Sequence, residues 1–183
     1  MEEEAISEFS KNGDDVPSVT LVLGGARSGK SRFAESLCAD SARATCIATA
    51  EARDAEMTAR IETHRDRRGL SWRTIEAPLD LVAALDRAEA EGDPVLLDCL
   101  TLWLSNAMEA ELDIAAETER LTARLSALTC PAVIVSNEVG QGIVPANALA
   151  RRFCDQAGLL NQAVAAVADR VFFVTAGLPA QLK

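Results

Sequence analysis

Six short runs of β-branched and aliphatic residues punctuate the chain at wide intervals: Val19 to Leu23, Cys46 to Ala48, Trp72 to Ile75, Val95 to Leu97, Val133 to Val135 and Val171 to Val174. Most have a near-continuous apolar character, the pattern of strands buried on both faces. Between most of them, apolar positions recur at helical spacing. Phe33 and Leu37 mark a first helix, Met57 and Ile61 a second and polar one, and Leu81, Val82 and Leu85 a third. Leu121, Leu125 and Leu128 mark a later helix. The alanine-rich stretch from Ala148 to Asp169, with Leu149, Phe153, Leu160, Val164 and Val167, predicts a long one near the end. Strands alternating with helices predict an α/β chain, a three-layer fold whose mostly parallel sheet is covered on both faces. No repeat, low-complexity block or internal linker interrupts it, so residues 18–183 read as a single domain. Ligands of such sheets gather at the carboxyl ends of the strands, so chemistry is to be sought just after each apolar run.

The first run leads directly into Gly24, Gly25, Ala26, Arg27, Ser28, Gly29, Lys30 and Ser31, a complete G-x-x-x-x-G-K-[ST] phosphate-binding loop. Between a strand and a helix, such a loop turns successive backbone N–H groups inward around nucleotide phosphates, with the helix's positive end beneath them. Gly24, Gly25 and Gly29 are expected to relieve the crowding of so tight a path. Lys30 is then the point charge for the β- and γ-phosphates, and Ser31 a hydroxyl ligand for Mg²⁺. The expected fold is therefore P-loop NTPase-like.

Composition narrows the class further. With 49% hydrophobic and 25% charged residues, the chain has the make-up of a globular domain that needs no disulfide or metal to hold its core. The five cysteines, Cys38, Cys46, Cys99, Cys130 and Cys154, are scattered and lack a C-x-x-C spacing, which fits buried thiols in a reducing compartment. No apolar run approaches a membrane span and the first residues are acidic, so a cytoplasmic location is expected. The net charge of −10 argues against nucleic acid as a partner. Much of that excess lies in residues 1–17, where Glu2, Glu3, Glu4, Glu8, Asp14 and Asp15 face only Lys11, and which read as a disordered acidic tail. Arg60 to Arg73, by contrast, holds five arginines against Glu62 and Asp66, either an anion site or the solvated end of a helix.

Asp98 closes the run Pro94 to Leu97. A carboxylate at a strand tip suits Mg²⁺ or its waters in a phosphate-loop enzyme; the alternative is an N-cap for a helix starting near Thr101. Ala48, Thr49 and Ala50 follow the second strand and offer small side chains and a hydroxyl for the nucleotide's flank. His64 is the single histidine, and Arg65, Arg67 and Arg68 follow it closely. It is either an ordinary surface or core residue or a nucleophile for phosphorus, flanked by donors that stabilise the charge growing there. Those arginines are expected to favour its neutral form by like-charge repulsion.

The blocks GGARSGKSRFAE, ARIETHRDRR, WRTIEAP and SNEVGQGIVP, in that order, resemble the adenosylcobinamide kinase/adenosylcobinamide-phosphate guanylyltransferase family over Ser18 to Lys183. The resemblance implies phosphorylation of adenosylcobinamide by a nucleoside triphosphate, ATP or GTP. It then implies GMP transfer from GTP through a guanylylated histidine, giving adenosylcobinamide-GDP within cobalamin nucleotide-loop assembly. His64 matches the nucleophile. Gly24 to Ser31, Ala48 to Ala50, Arg65, Asp66, Arg67, Arg68, Glu76 and Asp98 match nucleotide-contacting positions. A corrinoid substrate and a homo-oligomer, a trimer, are implied as well. Asp98 stands where glutamate also occurs, so its reach toward a metal is one methylene shorter, and Thr63 stands where a second histidine can occur. The rival classes are a plain small-molecule kinase and a nucleotide-binding switch. Against the switch, Ser136 to Val139 is only a poor approximation of the guanine-reading N-K-x-D. Deleting Met1 to Asp15 is expected to leave turnover nearly unchanged, as for a charged tail outside the domain; a large fall in well-folded truncated protein would give the tail a role.

Overall fold

In the computed structural model, which describes residues 18–39 and 41–183, seven strands form one sheet in the order β3-β2-β4-β5-β1-β6-β7. They are β1 (Val19–Gly24), β2 (Ala44–Ala48), β3 (Trp72–Glu76), β4 (Val95–Asp98), β5 (Ala132–Asn137), β6 (Arg170–Thr175) and β7 (Leu178–Gln181). The helices are α1 (Lys30–Ser36), α2 (Ala55–Arg68), α3 (Leu81–Glu89), α4 (Leu100–Glu109), α5 (Ile114–Ser126) and α6 (Ala148–Val167). All strand pairs are parallel except β6 with β7. The expected mostly parallel, three-layer α/β architecture is present. The acidic tail of residues 1–17 lies outside the described residues.

Alternation within the strands sorts two cores. Leu21, Ile47, Leu97 and Ile134 face a large apolar layer with Leu85, Trp103, Leu104, Leu121, Leu125 and Leu160 from α3, α4, α5 and α6. Val22, Leu96, Val133, Val135 and Phe172 face the other side, covered by Phe33 and Ala34 of α1. Phe33 and Phe172 meet there edge to face, with ring centroids 5.1 Å apart. α2 contributes to neither core, and none of its described residues is fully buried. Asp54, Asp80, Asp113 and Asn147 cap α2, α3, α5 and α6 with side-chain oxygens that accept backbone N–H bonds.

β7 carries no apolar run and was not foreseen. It returns along β6 through Ala176 and Gly177, with φ of 53° and 83°, a two-residue turn between the paired Thr175 and Leu178. Pro179 is tolerated because β7 is the edge of the sheet. Four of the cysteines are buried and Cys154 is partly exposed; all are free thiols. No helix among the described residues is long and apolar enough to cross a membrane.

Candidate active site

β1 ends at Gly24, and the chain turns through Gly25 to Gly29 before α1 starts at Lys30. A Cβ on Gly24 would stand 2.6 Å from both the Val174 carbonyl oxygen and Ser28 Oγ. Gly29 has φ of +96°, and a Cβ there would lie 3.0 Å from Gly177 Cα. These two glycines are required by the loop's own backbone. Gly25 is different, since no atom lies within 4 Å of a Cβ built there. The loop is thus open on the Gly25 side, where a phosphate could approach the backbone. The second left-handed residue of the loop is Arg27, with φ of 57°; Ala26 and Arg27 are exposed. Lys30 is buried and its Nζ donates to the Gly25 carbonyl at 3.1 Å. Ser31 is half-buried. The β6–β7 turn braces the loop from behind, with Gly177 N–H donating to Ser28 O at 2.8 Å. On the other flank Asn137 pairs with Gly24, and Glu138 N–H donates to the Gly24 carbonyl at 3.2 Å. The SNEVG block therefore leaves β5 beside the phosphate loop.

The ends of β2 and β4 form the other half of the site. Thr49 is fully buried, and its Oγ1 both donates to the Cys99 carbonyl (2.8 Å) and accepts from Cys99 N–H (2.9 Å). Its hydroxyl therefore ties the end of β2 to the start of α4, and Ala48 and Ala50 are half-buried beside it. Cys99 is the N-cap of α4, so Asp98 does not cap that helix and ends β4 with its carboxylate available.

His64, in the penultimate turn of α2, reaches that carboxylate: Nδ1 lies 3.6 Å from Asp98 Oδ2. The side chains are 30% and 16% exposed, so the imidazole is sheltered but reachable from solvent. Its pKa is held below the ordinary imidazole value, chiefly by burial. Asp98 opposes that shift, Arg67 adds to it, Glu35 opposes it and Arg68 adds to it. The shift is in the direction that favours the neutral imidazole, but loss of hydration leads the cause and the arginines come behind it.

The arginines do not form one anion site. Arg65 sits 3.5 Å from Glu76, both well exposed; Asp66 is exposed. Arg67 places Nε and Nη2 on the two oxygens of Glu35, at 2.6 and 2.8 Å, and Nη2 also lies 3.3 Å from His64 Nδ1. Arg68 is nearly buried: Nε donates to the His64 carbonyl at 3.0 Å and lies 3.9 Å from Glu35, while the guanidinium contacts Cys46 Sγ. Burial pushes that thiol up to about 12, the arginine opposing, so it is no nucleophile at neutral pH. Glu35 is the residue that sequence reasoning missed. Its signal was a carboxylate one turn after Ser31, on the face opposite the arginine-rich block.

For a divalent ion, no group of three or more His, Cys, Asp or Glu gathers among the described residues. Ser31 and Asp98 alone suit Mg²⁺ held mainly by phosphate oxygens and water, which needs one or two protein ligands. The donor set fits that ion and no all-protein cage.

Residues 20–182 match the family described as cobinamide kinase / cobinamide phosphate guanyltransferase, CobU. The bifunctional adenosylcobalamin biosynthesis protein CobP of Pseudomonas aeruginosa is 52% identical over 167 residues, 89% of this chain and 96% of that protein. The bifunctional adenosylcobalamin biosynthesis protein CobU of Salmonella typhimurium is 42% identical over 178 residues, 89% and 98% of the two chains. Among solved structures, flagellar accessory protein FlaH from Methanocaldococcus jannaschii superposes with a TM-score of 0.56 at 13% identity, over 100% of this chain and 85% of that one. That likeness concerns the fold alone.

The two leading glycines give a direct test of the cradle. Gly24→Ala is expected to destabilise the fold by about 1–3 kcal/mol, because the Val174 carbonyl is backbone and cannot step aside. Gly25→Ala is expected to change stability by no more than about 0.5 kcal/mol and to weaken nucleotide binding instead. Thermal unfolding beside nucleotide titration checks both; equal melting losses in the two variants would mean that the open side of the loop is not shaped for a ligand.

Proposed function

The chain belongs to the cobinamide kinase / cobinamide phosphate guanyltransferase family, and from that premise we propose a division of labour between its phosphate loop and its single histidine. The protein is a bifunctional enzyme of adenosylcobalamin biosynthesis that phosphorylates adenosylcobinamide and then transfers GMP to the product. GTP is the guanylyl donor in this reading, and ATP or GTP supplies the phosphoryl group.

In the kinase step the loop from Gly24 to Ser31 orients the triphosphate and Lys30 draws charge from it. Transfer of a γ-phosphoryl group to a substrate hydroxyl needs positioning and shielding, and no protein nucleophile. Mg²⁺, when bound with the phosphates by Ser31 and by Asp98 directly or through water, supplies further neutralisation of charge.

In the guanylyl step His64 attacks the α-phosphorus of GTP. A nitrogen–phosphorus bond forms as the bond to pyrophosphate breaks, and the phosphate oxygen of the corrinoid then displaces the histidine. Nδ1 faces Asp98 and Arg67, so Nε2 is the nitrogen left for attack. In the tautomer whose proton sits on Nδ1, toward Asp98, the neutral imidazole that burial favours keeps its lone pair on Nε2. Asp98 steadies the ring as positive charge develops on it, as the buried carboxylate does in a hydrolase triad. The observation that carries this reading is the approach of His64 to Asp98 at the carboxyl edge of the sheet.

Incubation with α-labelled GTP and Mg²⁺ is expected to leave acid-labile, base-stable label on the wild-type protein. Lys30→Ala should cripple both activities, since both clamp the triphosphate in one loop. His64→Ala and His64→Asn should lower protein labelling and adenosylcobinamide-GDP formation by about a thousandfold or more, yet keep appreciable phosphorylation of adenosylcobinamide. Label persisting on both histidine variants would remove His64 as the attacked residue. Equal loss of the kinase step in folded protein would assign it to nucleotide binding.

A further inference from the structure

α2 carries the histidine, yet its larger apolar residues, Met57 and Ile61, are only half-buried. None of its residues joins either hydrophobic core, and its described side chains are exposed or half-buried. Its placement therefore rests largely on polar contacts. Near its start Arg53 meets Glu51, Glu109 and Asn106, all solvent-accessible. Further along, Arg65 meets Glu76 in the open. Pairs of that kind contribute little, because water screens them and long side chains lose freedom in forming them.

The contact at Glu35 is of another kind. Its side chain is only 11% exposed, Arg68 beside it only 9%, and Arg67 39%. Arg67 binds it through two parallel N–H···O bonds, at 2.6 and 2.8 Å, the fork geometry that adds direction as well as strength. Glu35 also lies on α1, the helix that begins at Lys30 and Ser31. A continuous polar path therefore runs from the phosphate-loop helix through Glu35 to Arg67, whose Nη2 touches His64 Nδ1 at 3.3 Å.

We propose that Glu35 is a positioning residue for guanylyl transfer, holding Arg67, and with it the histidine-bearing helix, in register with the phosphate loop. Glu35 touches neither the reacting phosphorus nor the attacking nitrogen in this scheme; it acts through Arg67. A carboxylate on the loop's own helix ties the nucleophile to the element that fixes the nucleotide, so both keep one frame of reference. Losing it lets α2 drift, and small misplacements of a reacting atom are costly in rate. The proposal rests on the guanylylated-histidine reading above.

The test uses full-length protein with two readouts: label transferred from α-labelled GTP to the protein, and phosphorylation of adenosylcobinamide. Glu35→Gln is expected to slow labelling by about tenfold or more. The nucleotide concentration for half-maximal labelling and the kinase turnover should each stay within about threefold, because the cradle is untouched. Glu35→Asp, which keeps the charge one methylene further back, should recover part of the labelling rate. It also carries the test should Glu35→Gln fail to fold. Labelling at the wild-type rate in Glu35→Gln overturns the proposal, and so does an equal fall of both activities. Faster labelling overturns it too, since Glu35 would then restrain the helix and not position it. If wild-type protein takes no label at all, the guanylylated-histidine reading fails, an outcome distinct from every one of these.

Discussion

The backbone of β1 is paired along its length with β5 on one side and β6 on the other, both parallel to it. Gly24 therefore reaches the carboxyl edge of the sheet with its neighbours already in place, Asn137 across one pairing and Val174 across the other. The Val174 carbonyl leaves no space for a side chain at Gly24, so the chain passes there only as glycine. The same strand that crowds the loop goes on to support it, because β6 turns at Ala176 and Gly177 and presents a backbone N–H to Ser28. The cradle is held by contacts between main-chain atoms. Its shape thus owes little to the exposed Ala26 and Arg27.

From that edge outward, the means of fixation change. The wall made by α3 to α6 buries Trp103, Leu85, Leu104, Leu121, Leu125 and Leu160 almost completely, and each such side chain contributes roughly 1.5–3 kcal/mol of burial. The opposite face has α1, with Phe33 and Ala34 in the core. α2 buries none of its described side chains fully and is attached largely through polar contacts. A helix held in that way opens at lower cost than the elements around it. The structure thus joins a phosphate loop held by main-chain contacts to a histidine on a helix whose described side chains are exposed or half-buried.

What could be read from the sequence follows the same gradient. Strands buried on both faces and helices with an apolar stripe leave periodic signals, and the six runs and the long terminal helix stand where those signals lie. The phosphate loop was legible because its glycines answer to geometry, although Gly24 and Gly29 answer to crowding and left-handed backbone while Gly25 answers to open space. β7 was invisible because an edge strand of four residues with a proline needs no apolar pattern, and Ala176 supplies the first left-handed turn position where asparagine would have advertised it. Thr49 shows the limit at the site, because the bonds of its hydroxyl to Cys99 depend on the pairing of β2 with β4, which spacing does not encode. The partners of the arginines were hidden for the same reason: Glu35 lies far from Arg67 in sequence, and only the fold brings the two side chains together.

Two displacements on one triphosphate make opposite demands on a protein. The γ-phosphorus is to be attacked by a substrate hydroxyl, which needs an open approach and a fixed phosphate. The α-phosphorus, under the proposed mechanism, is to be attacked by His64, which has to come from the protein itself. A nucleophile rigidly built into the sheet edge would occupy part of the first approach throughout the cycle. Placing it on a helix fastened by ion pairs separates the demands, because such contacts fix direction without the commitment of a buried core. The sequence feature behind this is the scarcity of large apolar residues on α2, where Met57 and Ile61 are only half-buried. That scarcity leaves a carboxylate on the phosphate-loop helix as an anchor for the helix that carries the histidine.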